Sequence, residues 1–236
     1  MTHCPPILPL FLLSAALLSA NTFAQDDASG TESASRGASA PPTDWIDQAT
    51  GHRVVRISRL AGSASLYFHQ NVFTPEGDRM LMVTPRGLEL VDLSTWTSDV
   101  VVSRQDYRMS GSSGVEMGRK SRSVYYTTRD FQGTVVRATH VDTKATRDVA
   151  RLPLGASLNG VNADETMLFG TINERPERRE RTTPGTRRMK FFTAAIETGE
   201  IRTFHPSGDW LNHGQCSPTD SSLALFCHEG TWQDVD

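Results

Sequence analysis

The side chains best suited to chemistry sit in two distant stretches. His69 and Gln70 lie in "SLYFHQNVF", and His213, Gln215 and His228 in "WLNHGQCSPTDSSLALFCHEG". A neutral imidazole is a fitting general base near neutral pH, because its ordinary pKa is about 6.5. The same ring is a good ligand for manganese or zinc. An amide beside it can donate to and accept from a hydroxylated ligand. A plainer role competes: histidine or glutamine at a strand end often satisfies backbone groups and braces neighbouring sheets. Three imidazoles suffice in number for zinc, but His213 and His228 would have to converge with His69 from another part of the fold. His52 in "TGHRVVR" sits beside Arg53, which reads as the start of the first blade, and reads as bracing that sheet; His140 and His205 read as outer-strand or loop residues.

Whatever positions these groups is repetitive. A turn followed by a β-rich run occurs in "TPEGDRMLMVT", "MGRKSRSVYYTT", "VNADETMLFGTI" and "CSPTDSSLALFC". Aligned on Pro75, Arg119, Ala163 and Pro218, the phrases step by 44, 44 and 55 residues. Further strands follow in "GLELVDLSTWTSDVVV", "TVVRATHVDTKATRDVA" and "FFTAAIETGEIRTF". Each carries an acidic residue and a threonine at a turn: Asp92 with Thr95, Asp142 with Thr143, Glu197 with Thr198. Turn chemistry of this kind joins antiparallel neighbours. Alternation such as Leu88-Glu89-Leu90 marks half-buried strands. A repeat of about 40–50 residues with four strands per unit predicts an all-β chain of propeller blades. The alternative with similar spacing is an antiparallel sandwich. The longer last step is explained by an arginine-rich insertion, Asn173 to Lys190, read as a solvated loop.

The chain divides into three. Residues 1–24 hold an apolar run from Ile7 to Leu18 and end in Thr22-Phe23-Ala24, the pattern of an export signal with a small-x-Ala cleavage site. That predicts a periplasmic or secreted protein with no membrane span once the signal is removed. Residues 25–43 are rich in Ala, Ser, Gly and Pro and offer too little apolar surface to offset the entropy of ordering, which predicts a disordered linker. Residues 44–236 are long enough for one core. With 24 basic and 27 acidic residues, a net charge of −3, the chain lacks the basic footprint of a nucleic-acid binder. Cys216 and Cys227 flank one hairpin, as a disulfide or as two free thiols. Neither has the Cys-x-x-Cys spacing of a structural zinc site.

Three phrases resemble the oligogalacturonate lyases: "DWIDQATGHRVVRISR", "GSASLYFHQNVFTPEGDRM" and "DWLNHGQCSPTDSSLALFCHEGTWQDVD". The resemblance covers residues 44–236. It implies a seven-bladed β-propeller, of which this chain holds an N-terminal portion of about four blades, and whose substrates are short galacturonides from pectin. It also implies β-elimination with a divalent metal, usually manganese. In such a reaction a base takes the proton on C5 beside the uronate carboxylate, and the C4 oxygen leaves. A metal neutralises the carboxylate and stabilises the developing enolate-like charge. The positions implied for the base, an arginine and the metal ligands fall beyond Asp236. On that reading no residue here is catalytic or metal-binding, and no metal is expected to bind specifically. His69, Gln70, His213, Gln215 and His228 are the expected substrate-binding residues, and an acidic oligosaccharide the expected partner. A chain ending so is expected to be inactive alone and prone to self-association. The alternative is a non-catalytic sugar- or partner-binding propeller, a TolB-like scaffold.

Overall fold

The computed structural model describes residues 43–108, 111–174 and 188–229. The expected signal, 1–24, and the expected linker, 25–43, except Thr43, lie outside them, as do 175–187 of the insertion. Among the described residues there are sixteen strands and no helix. None is therefore a helix able to cross a membrane.

Three consecutive four-stranded antiparallel meanders carry the fold. The first runs β3 (Ala64–Ser65), β4 (Arg79–Thr84), β5 (Gly87–Asp92), β6 (Ser98–Ser103). The second runs β7 (Val115–Met117), β8 (Ser123–Asp130), β9 (Gly133–His140), β10 (Thr146–Leu152). The third runs β11 (Ala156–Val161), β12 (Met167–Asn173), β13 (Met189–Ala195), β14 (Ile201–Ser207). A two-stranded unit follows, β15 (Trp210–Cys216) with β16 (Ala224–Glu229). The repeated phrase of the sequence is the turn into the second strand of each sheet. The acidic-threonine turn behaves as expected in the first sheet, where the Asp92 carboxylate accepts the N–H groups of Ser94 and Thr95, both at 2.9 Å.

One expectation needs correcting. Arg53 does not start the first meander. It lies in β2 (Arg53–Val55), which forms a separate ladder with β1 (Asp44–Ile46). The local cause is a tight turn: Asp47 Oδ1 accepts from the N–H groups of Ala49 and Thr50, and Gly51 takes φ 72°. The chain therefore doubles back on itself before the first meander begins.

The cores lie between successive sheets, and the second and third sheets are apolar on both faces. Side chains alternate along a strand, and the two faces of β8 serve two cores. Val124 and Tyr126 pack with Leu81, Leu88 and Leu90 of the first sheet. Tyr125 packs with Leu158, Leu168 and Phe192 of the third. In β13, Phe192 looks back to the second sheet while Phe191 joins Phe169 and Leu211 toward β15. Each such large side chain, once sealed, contributes about 1.5–3 kcal/mol.

Polar clasps at one end join the sheets in order. Arg122, in the β7–β8 turn, pairs with Glu76 and Asp78 of the first sheet and with Asp142 of its own. Glu165, in the β11–β12 turn, accepts from the N–H groups of Lys120 and Ser121 at 2.6 and 2.9 Å and from the Tyr125 hydroxyl at 2.8 Å. Burial alone would raise its pKa, but these bonds outweigh that and hold it below the ordinary range. Asn162 then donates to the Ser221 carbonyl in the β15–β16 turn at 3.0 Å.

Candidate functional site

The inner ends of all four units meet at one cleft. Its volume is ≈ 290 Å³, and it is lined from the first sheet by Tyr67, His69 and Gln70, and from the approach to β7 by Ser112–Gly114. Leu158 and Asn159 of β11 and Asn212 of β15 complete it. That volume suits a small ligand.

Two irregular strands shape it. β11 carries one extra residue against β12 between Leu158 and Gly160, and β15 carries one extra against β16 between Asn212 and Gln215. Such bulges re-aim side chains. The second places His213 in the left-handed region at φ 48°, which is costly for any residue but glycine. Gly214 follows because a Cβ there would sit 2.9 Å from the Phe169 ring and 3.1 Å from Asn159 Cγ. The two bulges therefore pack against each other.

The result is a pair of imidazoles. The rings of His69 and His213 lie 5.6 Å apart at 72°. Tyr67 stacks on His213 at 5.6 Å and 16°. His213 Nε2 is 3.3 Å from Glu229 Oε1 and 3.3 Å from Asn212 Nδ2. Burial, with His213 alongside, pushes the His69 pKa below its ordinary value, so that ring is neutral at neutral pH. Two cleft-lining residues carry a buried polar atom with no hydrogen-bond partner, His69 Nδ1 and Asn159 Oδ1, and so does the adjacent His213 at Nδ1. Buried polar groups are nearly always satisfied. Orphans of this kind are what a hydroxylated or ionic ligand would complete.

The other expected residues are placed differently. Gln70 spends both amide hydrogens on the carbonyls of Ser112 and Val115, each at 2.7 Å, and accepts from the Tyr67 N–H at 2.7 Å. It therefore clasps the first sheet to the second while lining the cleft. His228 does not join the pair. Its Nε2 lies 3.1 Å from Asp209 and 3.3 Å from Ser207, and its ring 5.9 Å from His205 of the outermost strand, β14. Gln215 is half-buried on β15 opposite Leu225. The cysteines are free and do not face each other: Cys216 is opposite Ala224 and Cys227 opposite Asn212. Among the described residues no three His, Cys, Asp or Glu side chains gather as a metal site.

Glu116, on β7, gives no sign of itself in the sequence. It is 5% exposed, accepts from the Asn71 N–H at 3.1 Å, and stands 3.9 Å from Arg119. Burial pushes its pKa up to about 8, against both of those groups. Near it, burial and then the charge of Glu116 raise the Cys216 thiol to about 12. An acid whose folded pKa is raised favours the fold fully below the ordinary carboxylate range and loses that advantage as pH rises toward the folded value. Urea unfolding should therefore show wild-type stability falling between about pH 5 and pH 8. Glu116→Gln should flatten that slope and be the more stable protein at pH 8. Parallel profiles would refute the protonated state.

No protein-family model and no curated sequence matches the chain. Solved structures do. An oligogalacturonate lyase from Vibrio parahaemolyticus matches with a TM-score of 0.64 at 22% identity, over 82% of this chain and 54% of that one. An oligogalacturonate lyase in complex with manganese matches with a TM-score of 0.63 at 22% identity and the same coverage. TolB from Acinetobacter baumannii matches with a TM-score of 0.52 at 15% identity, over 80% of this chain and 43% of that one. The chain thus spans about half the length of the lyase structures. The likeness establishes the fold: an all-β propeller arrangement of successive blades.

Proposed function

We propose that this chain forms a substrate-binding wall of a propeller acting on acidic oligosaccharides, with short oligogalacturonides as ligands and β-elimination as the reaction. The observation that supports this most is a cleft lined by two side chains with partnerless polar atoms, the neutral imidazole of His69 and the amide of Asn159, with the His213 ring against the first. The names of the two lyase structures supply the class of sugar.

The chain's own residues bind and orient. A neutral His69 has one N–H and one lone pair, so it can donate to a carboxylate or accept from a hydroxyl. Asn159 Oδ1 accepts from a hydroxyl. His213 is held by Tyr67 and Glu229 against the His69 ring, with its Nδ1 unpartnered. Gln70 supports the wall by fixing the first sheet to the second. His228 and Gln215, neither of which lines the cleft, are proposed as binding residues by the sequence resemblance alone. A manganese ion takes oxygen and imidazole ligands, and the described residues do not gather such a set. The same reading has the protein working after export.

Calorimetric titration with digalacturonate checks this, with the neutral disaccharide galactobiose as control. Binding of the acid and not the neutral sugar is expected, with loss on His69→Ala. A correctly folded chain that binds no acidic saccharide would overturn the proposal. Ultraviolet absorbance of an unsaturated product, followed in the same samples with manganese, separates elimination from binding alone.

A further inference from the structure

The cleft's rim carries two aromatic rings that the fold leaves in solvent. Tyr67 is 52% exposed and Phe68 75% exposed, with ring centroids 4.8 Å apart. Neither belongs to any of the three cores. Phe68 makes its ring contacts with the site: Tyr67, His69 at 5.3 Å and His213 at 5.4 Å. One face of Tyr67 is taken by the His213 ring. Phe68 meets its neighbours at 51°, 83° and 42°, none of them parallel to it.

An exposed aromatic surface beside orphaned polar atoms calls for a ligand of two characters. A purely apolar molecule would leave the already buried His69 Nδ1 and Asn159 Oδ1 of the cleft wall without a partner. A small inorganic anion would answer the polar atoms and leave the rings in water. A pyranose meets both demands, since one face of the ring is a flat array of C–H groups and its edge carries hydroxyls. We propose that Phe68 is the stacking platform for one pyranose ring of the bound saccharide, with its polar edge turned toward His69, Asn159 and His213. Tyr67 is then a positioning residue, holding the His213 ring by stacking. This rests on the saccharide reading above and adds to it the subsite and the residue that grips the ring.

The test uses the full chain with digalacturonate. Phe68→Ala and Phe68→Leu should each weaken binding about fivefold to tenfold, because stacking adds to simple area burial. Phe68→Trp, which keeps an aromatic face, should hold affinity within about twofold of wild type. Saturation-transfer NMR should light the C–H protons of one ring face in the wild type and lose that contrast in Phe68→Leu. Because Phe68 is mostly in solvent, these variants should fold; should Phe68→Ala fail to, the Leu and Trp pair decides. Equal affinities for Leu and Trp, or an unchanged Phe68→Ala beside a weakened His213→Ala, would overturn the platform and leave saccharide binding intact. No binding of the sugar acid by wild type would overturn both.

Discussion

Replacing His213 with glycine is expected to weaken digalacturonate binding about tenfold or more without destabilising the protein. The two effects have separate origins. The imidazole lies against the cleft-lining His69, carries an orphaned Nδ1 and shares its other nitrogen with Glu229 and Asn212. Losing a ligand bond to such a group costs about 1.5–3 kcal/mol if charge is involved. The backbone, in contrast, is held at φ 48°, which glycine adopts without a penalty. Unfolding free energy should therefore stay level or rise by up to about 1 kcal/mol, the strain released being offset by the freer unfolded chain. His213→Ala should lose the binding without the gain in stability. A glycine variant that keeps affinity and loses 2 kcal/mol or more would instead make His213 a brace for the sheet.

Gly87→Ala is expected to be the most damaging single-methyl change described here, at more than about 4 kcal/mol. Gly87 opens β5 at φ 131°, and a Cβ there would lie 2.1 Å from the Val102 carbonyl oxygen and 2.8 Å from the Arg104 nitrogen. Both are backbone atoms of the neighbouring strand and its end, so neither can swing aside. Gly133 is the internal control. It holds the same place in the second sheet with the same φ of 131°, yet nothing lies within 4 Å of the added carbon. The register explains the difference: β6 extends far enough to pair Ser103 with Gly87, while β10 stops at Leu152 opposite Thr134. Gly133→Ala should therefore cost only its backbone strain, about 1–3 kcal/mol. Thermal melts followed by circular dichroism should show the first protein largely unfolded and the second folded. Equal losses would mean that strain, not the close approach to β6, sets the cost.

The sheets were legible because strand alternation and turn chemistry are local. Each phrase from Thr74, Met117, Val161 and Cys216 contains its own turn and its own inward-facing residues, so the second strands and their partners can be read without knowing the fold. The extra ladder of β1 with β2 escaped that reading, because a run as short as "RVVR" suits a strand whether its partner is the first sheet or its own preceding residues.

The site was legible only in its letters. Sequence singled out His69 and His213, and tertiary structure decided that these two meet while His228 turns to Asp209 and Ser207. Counting by twos along β15 cannot foresee this, since one inserted residue at Asn212–Gln215 resets which side chains share a face. Gln70 read equally well as a ligand contact or a clasp, and two carbonyls of the approach to β7 and its first residue took both its amide hydrogens. Nothing in the sequence marks Tyr67 and Phe68 as exposed or Glu116 as buried. Their exposure and burial follow from which sheet lies against them. Residue types and local spacing therefore determined the strands and the available chemical groups. The packing of one blade on the next decided which groups share a cavity, which lose water, and which are left without a partner.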